Sequence, residues 1–91
     1  MVEKNWQIKY TKRVVSDAQK LASAGLKNKT QRLLAIIAQD PYASPPNFEK
    51  LYGFENVYSR RINIKHRLVY EVFKELKIIK VISLWGHYDD N

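Results

Sequence analysis

The three prolines of this 91-residue chain stand close together, at positions 41, 45 and 46. A proline disfavours the helical conformation in the residue before it, so Asp40 is expected to end the preceding helix. The segment 41–47 is expected to contain no helix, because Pro45-Pro46 keeps it extended. The prolines therefore divide the chain into a half with helical periodicity and a half with strand-like composition. A chain of this size supports one core, which predicts a single domain over residues 1–91.

The half before the prolines predicts one short strand and two helices. Apolar residues alternate from Trp6 to Tyr10, the period of a half-buried strand. Thr11 is expected to cap the start of the first helix and Gly25 its end. Each helix carries an apolar stripe at helical spacing, which predicts an antiparallel helical hairpin. The stripes are Val14, Val15, Ala18, Leu21 and Ala22 in the first helix and Leu26, Thr30, Leu33, Leu34 and Ile37 in the second.

The half after the prolines is rich in β-branched and aromatic residues and predicts strands at 57–63, 67–73 and 78–84. The connections between them are short, which favours an antiparallel meander. In the order β-α-α-β-β-β the elements predict an α+β fold, a small antiparallel sheet with the N-terminal helical hairpin packed on one face. The other face of the sheet is expected to carry the function.

Composition excludes several kinds of site. Without cysteine the chain has no disulfide, no thiolate metal site and no cysteine nucleophile. With only two histidines a zinc site is not expected, and no metal or other cofactor is predicted. No apolar run approaches the roughly 18 residues of a membrane span, and residues 1–5 lack the apolar core of a signal peptide. A cytoplasmic protein without membrane contact is therefore expected.

Candidate residues for RNA cleavage lie in the last part of the chain. Cleavage by the RNA's own 2′-hydroxyl requires a base, an acid and cations that stabilise the phosphorane. Glu49 is the candidate base. His87 is the candidate acid, because an imidazolium can exist near neutral pH. Arg61 and Arg67 are the candidate phosphate binders, since guanidinium groups match phosphate oxygens bidentately and stay protonated.

The strand register decides which arginine stands beside Arg67. A two-residue connection at Ile64-Lys65 puts Arg67 on the face of Arg60, whereas a three-residue connection puts it beside Arg61. The residues themselves leave both open. Arg60 and Arg61 point to opposite sides of a strand, so one of the two is expected to be an ordinary surface or salt-bridging residue.

The aromatic residues and the second histidine have competing interpretations. Four aromatic side chains could stack on RNA bases, namely Tyr52, Phe54, Tyr58 and Tyr88. Strand-like alternation instead favours packing roles for Tyr58, Tyr70 and Trp85. His66 is expected to cap a turn or to be solvated.

The segment 58–72, YSRRINIKHRLVYEV, and the pair His87-Tyr88 resemble the YoeB/Txe family within the RelE superfamily of bacterial toxins. Members are messenger-RNA interferases of type II toxin–antitoxin systems. The resemblance implies that Glu49 is the general base, that His87 is the general acid, and that Arg67 is catalytic. It also implies substrate-binding roles for Arg61, Tyr88 and Lys50.

The same resemblance implies a translation-inhibiting toxin that cleaves messenger RNA in the ribosomal A site and leaves a 2′,3′-cyclic phosphate and a 5′-hydroxyl end. It implies a cognate antitoxin of the YefM/Axe type and a homodimer. The net charge of +7 fits ribosomal RNA as a partner. The charge lies mainly in residues 1–48, with eight basic and three acidic side chains, against eight and six in residues 49–91.

Two departures from the family pattern bear on these roles. The segment from Glu49 to Arg60 is one residue shorter than the usual spacing, and the acidic tail Asp89-Asp90-Asn91 follows the His-Tyr pair. Two other functions therefore stay open at this point. One is a non-catalytic module that binds RNA or the antitoxin on the same fold, and the other is an endoribonuclease that works without ribosomes.

Overall fold

The computed structural model describes residues 6–86 and confirms the α+β fold. Within these residues two helices and five strands follow one another, and residues 41–47 contain no helix. The elements are β1 (Gln7–Tyr10), α1 (Lys12–Ser23), α2 (Lys27–Gln39), β2 (Glu49–Lys50), β3 (Val57–Arg61), β4 (Arg67–Phe73) and β5 (Ile78–Ser83). None of the helices within residues 6–86 is long and apolar enough to cross a bilayer.

The five strands form one sheet in the order β1-β5-β4-β3-β2. The strands β2 to β5 pair antiparallel, as the meander predicts, but β1 pairs parallel with β5. The sequence did not indicate this parallel pair, because the two strands are far apart in the chain. It did not indicate β2 either, since two residues are too short to show a period of two.

The ends of α1 follow from local chemistry that the sequence predicts. The hydroxyl of Thr11 accepts a hydrogen bond from the amide of Val14 (3.2 Å), which satisfies one of the helix's unpaired donors. Beyond the last turn Gly25 has a φ of 79°, a conformation that glycine adopts without strain. The amide of Leu26 then donates to the carbonyl of Leu21 (2.8 Å), which turns the chain into α2.

Both helices pack on one face of the sheet and share its main core. The buried members are Trp6, Val14, Leu21, Leu33, Ile37, Ile62, Leu68, Tyr70, Val72, Ile79, Val81 and Leu84. Tyr58 and Trp85 pack against this core while partly exposed, so the packing roles predicted for them and for Tyr70 are confirmed. A second, small apolar cluster of Leu51, Val57 and Val69 lies apart from the main core.

The apolar stripe of α1 is only partly as predicted, because Val14 and Leu21 are buried whereas Val15, Ala18 and Ala22 are exposed. Val15 is 60% exposed, and Asp17 is 97% buried in its place. The Asp17 carboxylate accepts a hydrogen bond from the amide of Leu84 (3.0 Å) and lies 3.5 Å from Nε of Arg13. A buried carboxylate needs such donors, so α1 is rotated to bring Asp17 to the end of β5.

Candidate active site

The connection between β3 and β4 sets the register that the sequence left open. Arg61 lies directly opposite Arg67, the arrangement of the three-residue connection. The amide of Ile62 donates to the carbonyl of His66 (2.9 Å) and closes the loop. Within it the side-chain oxygen of Asn63 accepts from the amide of His66 (2.8 Å) and from the amide that precedes it. Asn63 could have predicted this turn from the sequence, because asparagine side chains form hydrogen bonds with backbone amides two or three residues further on.

The Arg67 guanidinium is the centre of the polar group on the sheet face away from the helices. Its Nη2 lies 3.0 Å from Oε1 of Glu49, and its Nε donates to the hydroxyl of Ser59. The Arg67 side chain is only 11% exposed, whereas that of Glu49 is 65% exposed. Ser59 is buried. The guanidinium is therefore held on its inner side by the buried Ser59 hydroxyl, and it is accessible to solvent on the side of the Glu49 carboxylate.

The short strand β2 places Glu49 within reach of Arg67. Glu49 pairs with Ser59 and Lys50 with Tyr58 in an antiparallel register. The pairing continues where the amide of Leu51 donates to the carbonyl of Val57 (2.8 Å). Glu49 is thus a strand residue on the edge of the sheet rather than an isolated charge before it. Its contact with Arg67 connects β2 and β4, the two strands that flank β3 in the sheet.

Lys50 takes a different direction from its neighbour. Its ammonium donates to the carbonyl of Phe54 (2.7 Å), so it lies over the turn between β2 and β3 rather than beside Arg67. Tyr52 in this turn is fully exposed and Phe54 is about half exposed. Substrate binding by Lys50 and base stacking by these aromatic rings stay predictions.

Arg60 is buried, so it is not the ordinary surface or salt-bridging residue that one of the two arginines was expected to be. No part of it is exposed to solvent. Its guanidinium donates to the hydroxyl of Tyr70 (3.0 Å) and to the carbonyls of Pro41 (3.0 Å), Ala43 (2.8 Å) and Pro46 (2.6 Å). These acceptors compensate the removal of the charge from water. The sequence shows that Arg60 and Arg61 point to opposite faces of the strand. It does not show that backbone carbonyls lie on the Arg60 side to accept its hydrogen bonds.

His66 was expected to cap a turn or to be solvated, and because it is buried the solvated alternative is wrong. Its Nδ1 accepts a hydrogen bond from the amide of Gly86 (2.9 Å), and its ring stacks on Trp85 with centroids 3.8 Å apart. The carbonyl of Gly86 in turn accepts from the amide of Arg67 (3.2 Å). These contacts attach the end of the described chain to the start of β4.

The remaining predicted site residues cannot be placed beside this group. His87, Tyr88 and the tail Asp89-Asp90-Asn91 lie outside the described residues. Within residues 6–86, no group of three or more His, Asp or Glu side chains lies close enough together to hold a metal ion.

A family model for the YoeB-like toxin of bacterial type II toxin–antitoxin systems matches residues 6–88, nearly the whole chain. The chain belongs to this family. Membership makes it a toxin of a toxin–antitoxin system, as the resemblance implies.

Solved structures of YoeB toxins have the same fold. The YoeB/ParE toxin from Agrobacterium tumefaciens is 27% identical with a TM-score of 0.80, over 90% of this chain and 99% of that one. The YoeB dimer from Staphylococcus aureus is 30% identical with a TM-score of 0.77, over 92% and 99%. The YoeB-YefM complex from the same organism is 30% identical with a TM-score of 0.74, over 91% and 98%. Among curated protein sequences no significant match was found.

Proposed function

We propose that this toxin is an endoribonuclease that cleaves translated messenger RNA in the ribosomal A site and thereby inhibits translation. The observation that carries the proposal is the 3.0 Å contact of Glu49 with Arg67, which itself stands directly opposite Arg61. The Glu49–Arg67 pair and a second arginine at the facing strand position thus lie on one face of the sheet. This is the set of groups that 2′-hydroxyl attack on a phosphodiester uses.

In the proposed reaction the phosphate competes with Glu49 for Arg67. A guanidinium has five N–H donors, and the contacts with Ser59 and Glu49 use one on Nε and one on Nη2. A phosphate oxygen that takes the place of the carboxylate on Nη2 releases Glu49 to accept the proton of the 2′-hydroxyl. Arg61 is the second cation for the same phosphate.

The covalent step needs no further reactant. The 2′ oxygen bonds to phosphorus and the bond from phosphorus to the 5′ oxygen breaks, which leaves a 2′,3′-cyclic phosphate and a 5′-hydroxyl. Glu49 receives the proton from the 2′-hydroxyl, and His87 is the proposed donor to the departing 5′ oxygen. The nucleophile belongs to the RNA itself, so the scheme requires no metal-activated water.

The repulsion between Arg61 and Arg67 also supports an anionic substrate. Like charges directly opposite one another in a sheet are destabilising. Glu49 neutralises only one of the two, and it is itself largely exposed. A phosphate bound between both arginines would remove the repulsion, which favours polyanion binding at this position.

Ribosome binding is proposed to use the basic helical half. Lys12, Lys20, Lys27 and Lys29 are exposed on α1 and α2, away from the Glu49–Arg67 pair. Lysines on such a surface bind an RNA backbone through release of its counterions. A target on translating ribosomes implies action in the cytoplasm.

The partners proposed are a YefM-like antitoxin and a second copy of the chain. The Staphylococcus aureus relative is described as a dimer and as a complex with YefM. An apolar groove of about 470 Å³ between α1 and α2, which includes Val15, Ala18 and Leu34, is wide enough for apolar side chains of an antitoxin. Ala18→Glu places a charge in this groove, and co-purification with the antitoxin is expected to be lost. Undiminished co-purification would remove the groove from the interface.

The activity is tested on ribosomes programmed with a defined messenger RNA, followed by mapping of the RNA ends. The proposal predicts new 5′-hydroxyl ends in the A-site codon and intact RNA when ribosomes are omitted. Equal cleavage of naked RNA would indicate a ribosome-independent nuclease. Intact RNA in both arms, with the protein bound to ribosomes, would indicate a non-catalytic module.

A further inference from the structure

We propose that Arg60 is a positioning residue that holds Glu49 in place for the reaction. This role rests on the proposed nuclease function, because Glu49 is there the base. Arg60 itself touches neither the Glu49–Arg67 pair nor the exposed sheet face, since it is fully buried on the side of the helices. Its effect on the reaction is therefore transmitted through the chain segment that it binds.

Arg60 supplies donors to the irregular segment between α2 and β2. The three carbonyls that it binds, those of Pro41, Ala43 and Pro46, lie in a stretch without helix or strand. Tyr70 reinforces the contact, because its hydroxyl accepts from Arg60 and donates to the carbonyl of Pro41 (2.7 Å). One guanidinium and one phenol thus satisfy carbonyls that regular secondary structure would otherwise have to pair.

The bound segment ends directly at Glu49. The ring of Phe48, the residue before Glu49, lies 4.8 Å from Cζ of Arg60, within the range of a cation–π contact. The same ring meets the edge of Tyr58, with centroids 5.7 Å apart. Arg60 therefore holds the segment from Pro41 to Phe48 at both ends. The strand that follows, β2, has only two residues, so these contacts determine the position of its first residue, Glu49.

Three consecutive residues of β3 thereby organise the site from two faces of the sheet. Ser59 fixes the Arg67 guanidinium from one face, and Arg61 stands opposite Arg67 on the same face. Arg60 points to the other face and fixes the segment that delivers Glu49. A base must lie within hydrogen-bond reach of its proton, and misplacement by about 1 Å can cost about 10²-fold in rate.

A merely structural arginine would lower activity by destabilising the protein, whatever residue occupies position 49. A positioning role makes a different prediction, because the loss then depends on the presence of the base. The experiment measures single-turnover cleavage on programmed ribosomes in two backgrounds, native and Glu49→Gln. Arg60→Lys keeps the charge but cannot reach all four acceptors.

We expect Arg60→Lys to lower the cleavage rate about tenfold or more in the native background, with unchanged half-saturation by ribosomes. In the Glu49→Gln background the same change is expected to have no further effect. Tyr70→Phe removes one hydroxyl and keeps the ring, and it should show the same dependence on Glu49 in a smaller degree. If the thermal unfolding midpoint shows that Arg60→Lys does not fold, Tyr70→Phe serves as the test variant instead.

Val72→Ala is the matched control, since Val72 is buried in the main core on the same face of β4 as Tyr70. Its effect on the rate, if any, is expected to be equal in both backgrounds. An equal loss from Arg60→Lys and from Tyr70→Phe in both backgrounds would overturn the positioning role while leaving the nuclease intact. A native protein that cuts no RNA would instead overturn the proposed function, and this role with it.

Discussion

Arg61 and Arg67 stand directly opposite each other across the β3–β4 pair, so two arginines occupy one cross-strand position. Among contacts within residues 6–86, Arg67 is the member of this pair whose charge is balanced by a carboxylate, that of Glu49. Opposed like charges lower the stability of a sheet. The opposed pair is therefore expected to lower the stability of the free protein, and the proposed phosphate ligand would remove this cost.

The first prediction concerns this pair of arginines. Arg61→Gln removes the repulsion and should raise the stability of the free protein by less than about 1 kcal/mol, because exposed charges are screened by solvent. Inorganic phosphate should stabilise the native protein more than the variant, since ligand binding adds to stability. Thermal unfolding with and without phosphate measures both effects. Lys80→Gln on β5 is the control for loss of one exposed charge, and an identical phosphate effect in all three proteins would contradict the prediction.

His66 provides a prediction about stability. In His66→Leu the amide of Gly86 loses its acceptor and Trp85 loses its stacking partner. An unsatisfied buried amide costs about 1–3 kcal/mol, and the Gly86 bond is only partly buried, so the urea midpoint should fall by an amount at the lower end of this range. His66→Asn offers a side-chain oxygen to the same amide and is expected to recover part of the loss. A His66→Leu protein as stable as the native one would show that the contact contributes nothing.

Tyr70 gives the protein a dependence on alkaline pH. Burial raises the pKa of the Tyr70 phenol above its ordinary value of 10.0, and the Arg60 guanidinium opposes this rise only in part. The folded protein thus holds the proton more tightly than the unfolded chain. Its contribution to stability is complete below about pH 10 and is lost as pH rises through the folded-state pKa.

Urea unfolding between about pH 9 and pH 11 measures this contribution, because the window brackets the ordinary tyrosine pKa of about 10. Stability of the native protein should fall over this interval, and Tyr70→Phe should fall less steeply. Tyr52→Phe changes an exposed tyrosine and should keep the native slope. Parallel curves for the native protein and Tyr70→Phe would mean that the phenol does not titrate differently in the folded state.

The basic helical surface predicts how the toxin binds ribosomes. Charge reversal at Lys27 and Lys29 on α2 should weaken ribosome association and flatten its dependence on salt, because fewer counterions are released. Reversal at Lys74 and Lys80, in the strand half, changes net charge equally and serves as the control. Equal affinities and salt slopes for the two double variants would make the helical face an ordinary solvated surface.

The features that the sequence predicted are those with local causes. Thr11 and Gly25 bound α1, Asp40 ends α2, and alternation of apolar residues locates β3 to β5, because each signal lies within a few residues of its effect. Arg61 and Arg67 are predicted to be site residues from their chemistry and from the resemblance, and these roles stay predictions.

The features that the sequence did not predict depend on partners far along the chain. Asp17 is buried because the amide of Leu84 meets it, and Arg60 because the carbonyls of the proline-rich segment do. Hydrophobic periodicity in the sequence cannot locate the Leu84 amide or the carbonyls of the proline-rich segment. The short strand β2 exists only through its pairing with β3, so Glu49 could not be placed on the sheet in advance.

The most direct test of the account is cleavage on programmed ribosomes by the native protein and by Arg67→Ala. The account predicts A-site cleavage with 5′-hydroxyl ends for the native toxin. For the variant it predicts a loss of about 10²-fold or more, as for removal of a donor that stabilises the transition state, without unfolding. A folded Arg67→Ala protein that cuts at the native rate would contradict the central role of the Glu49–Arg67 pair.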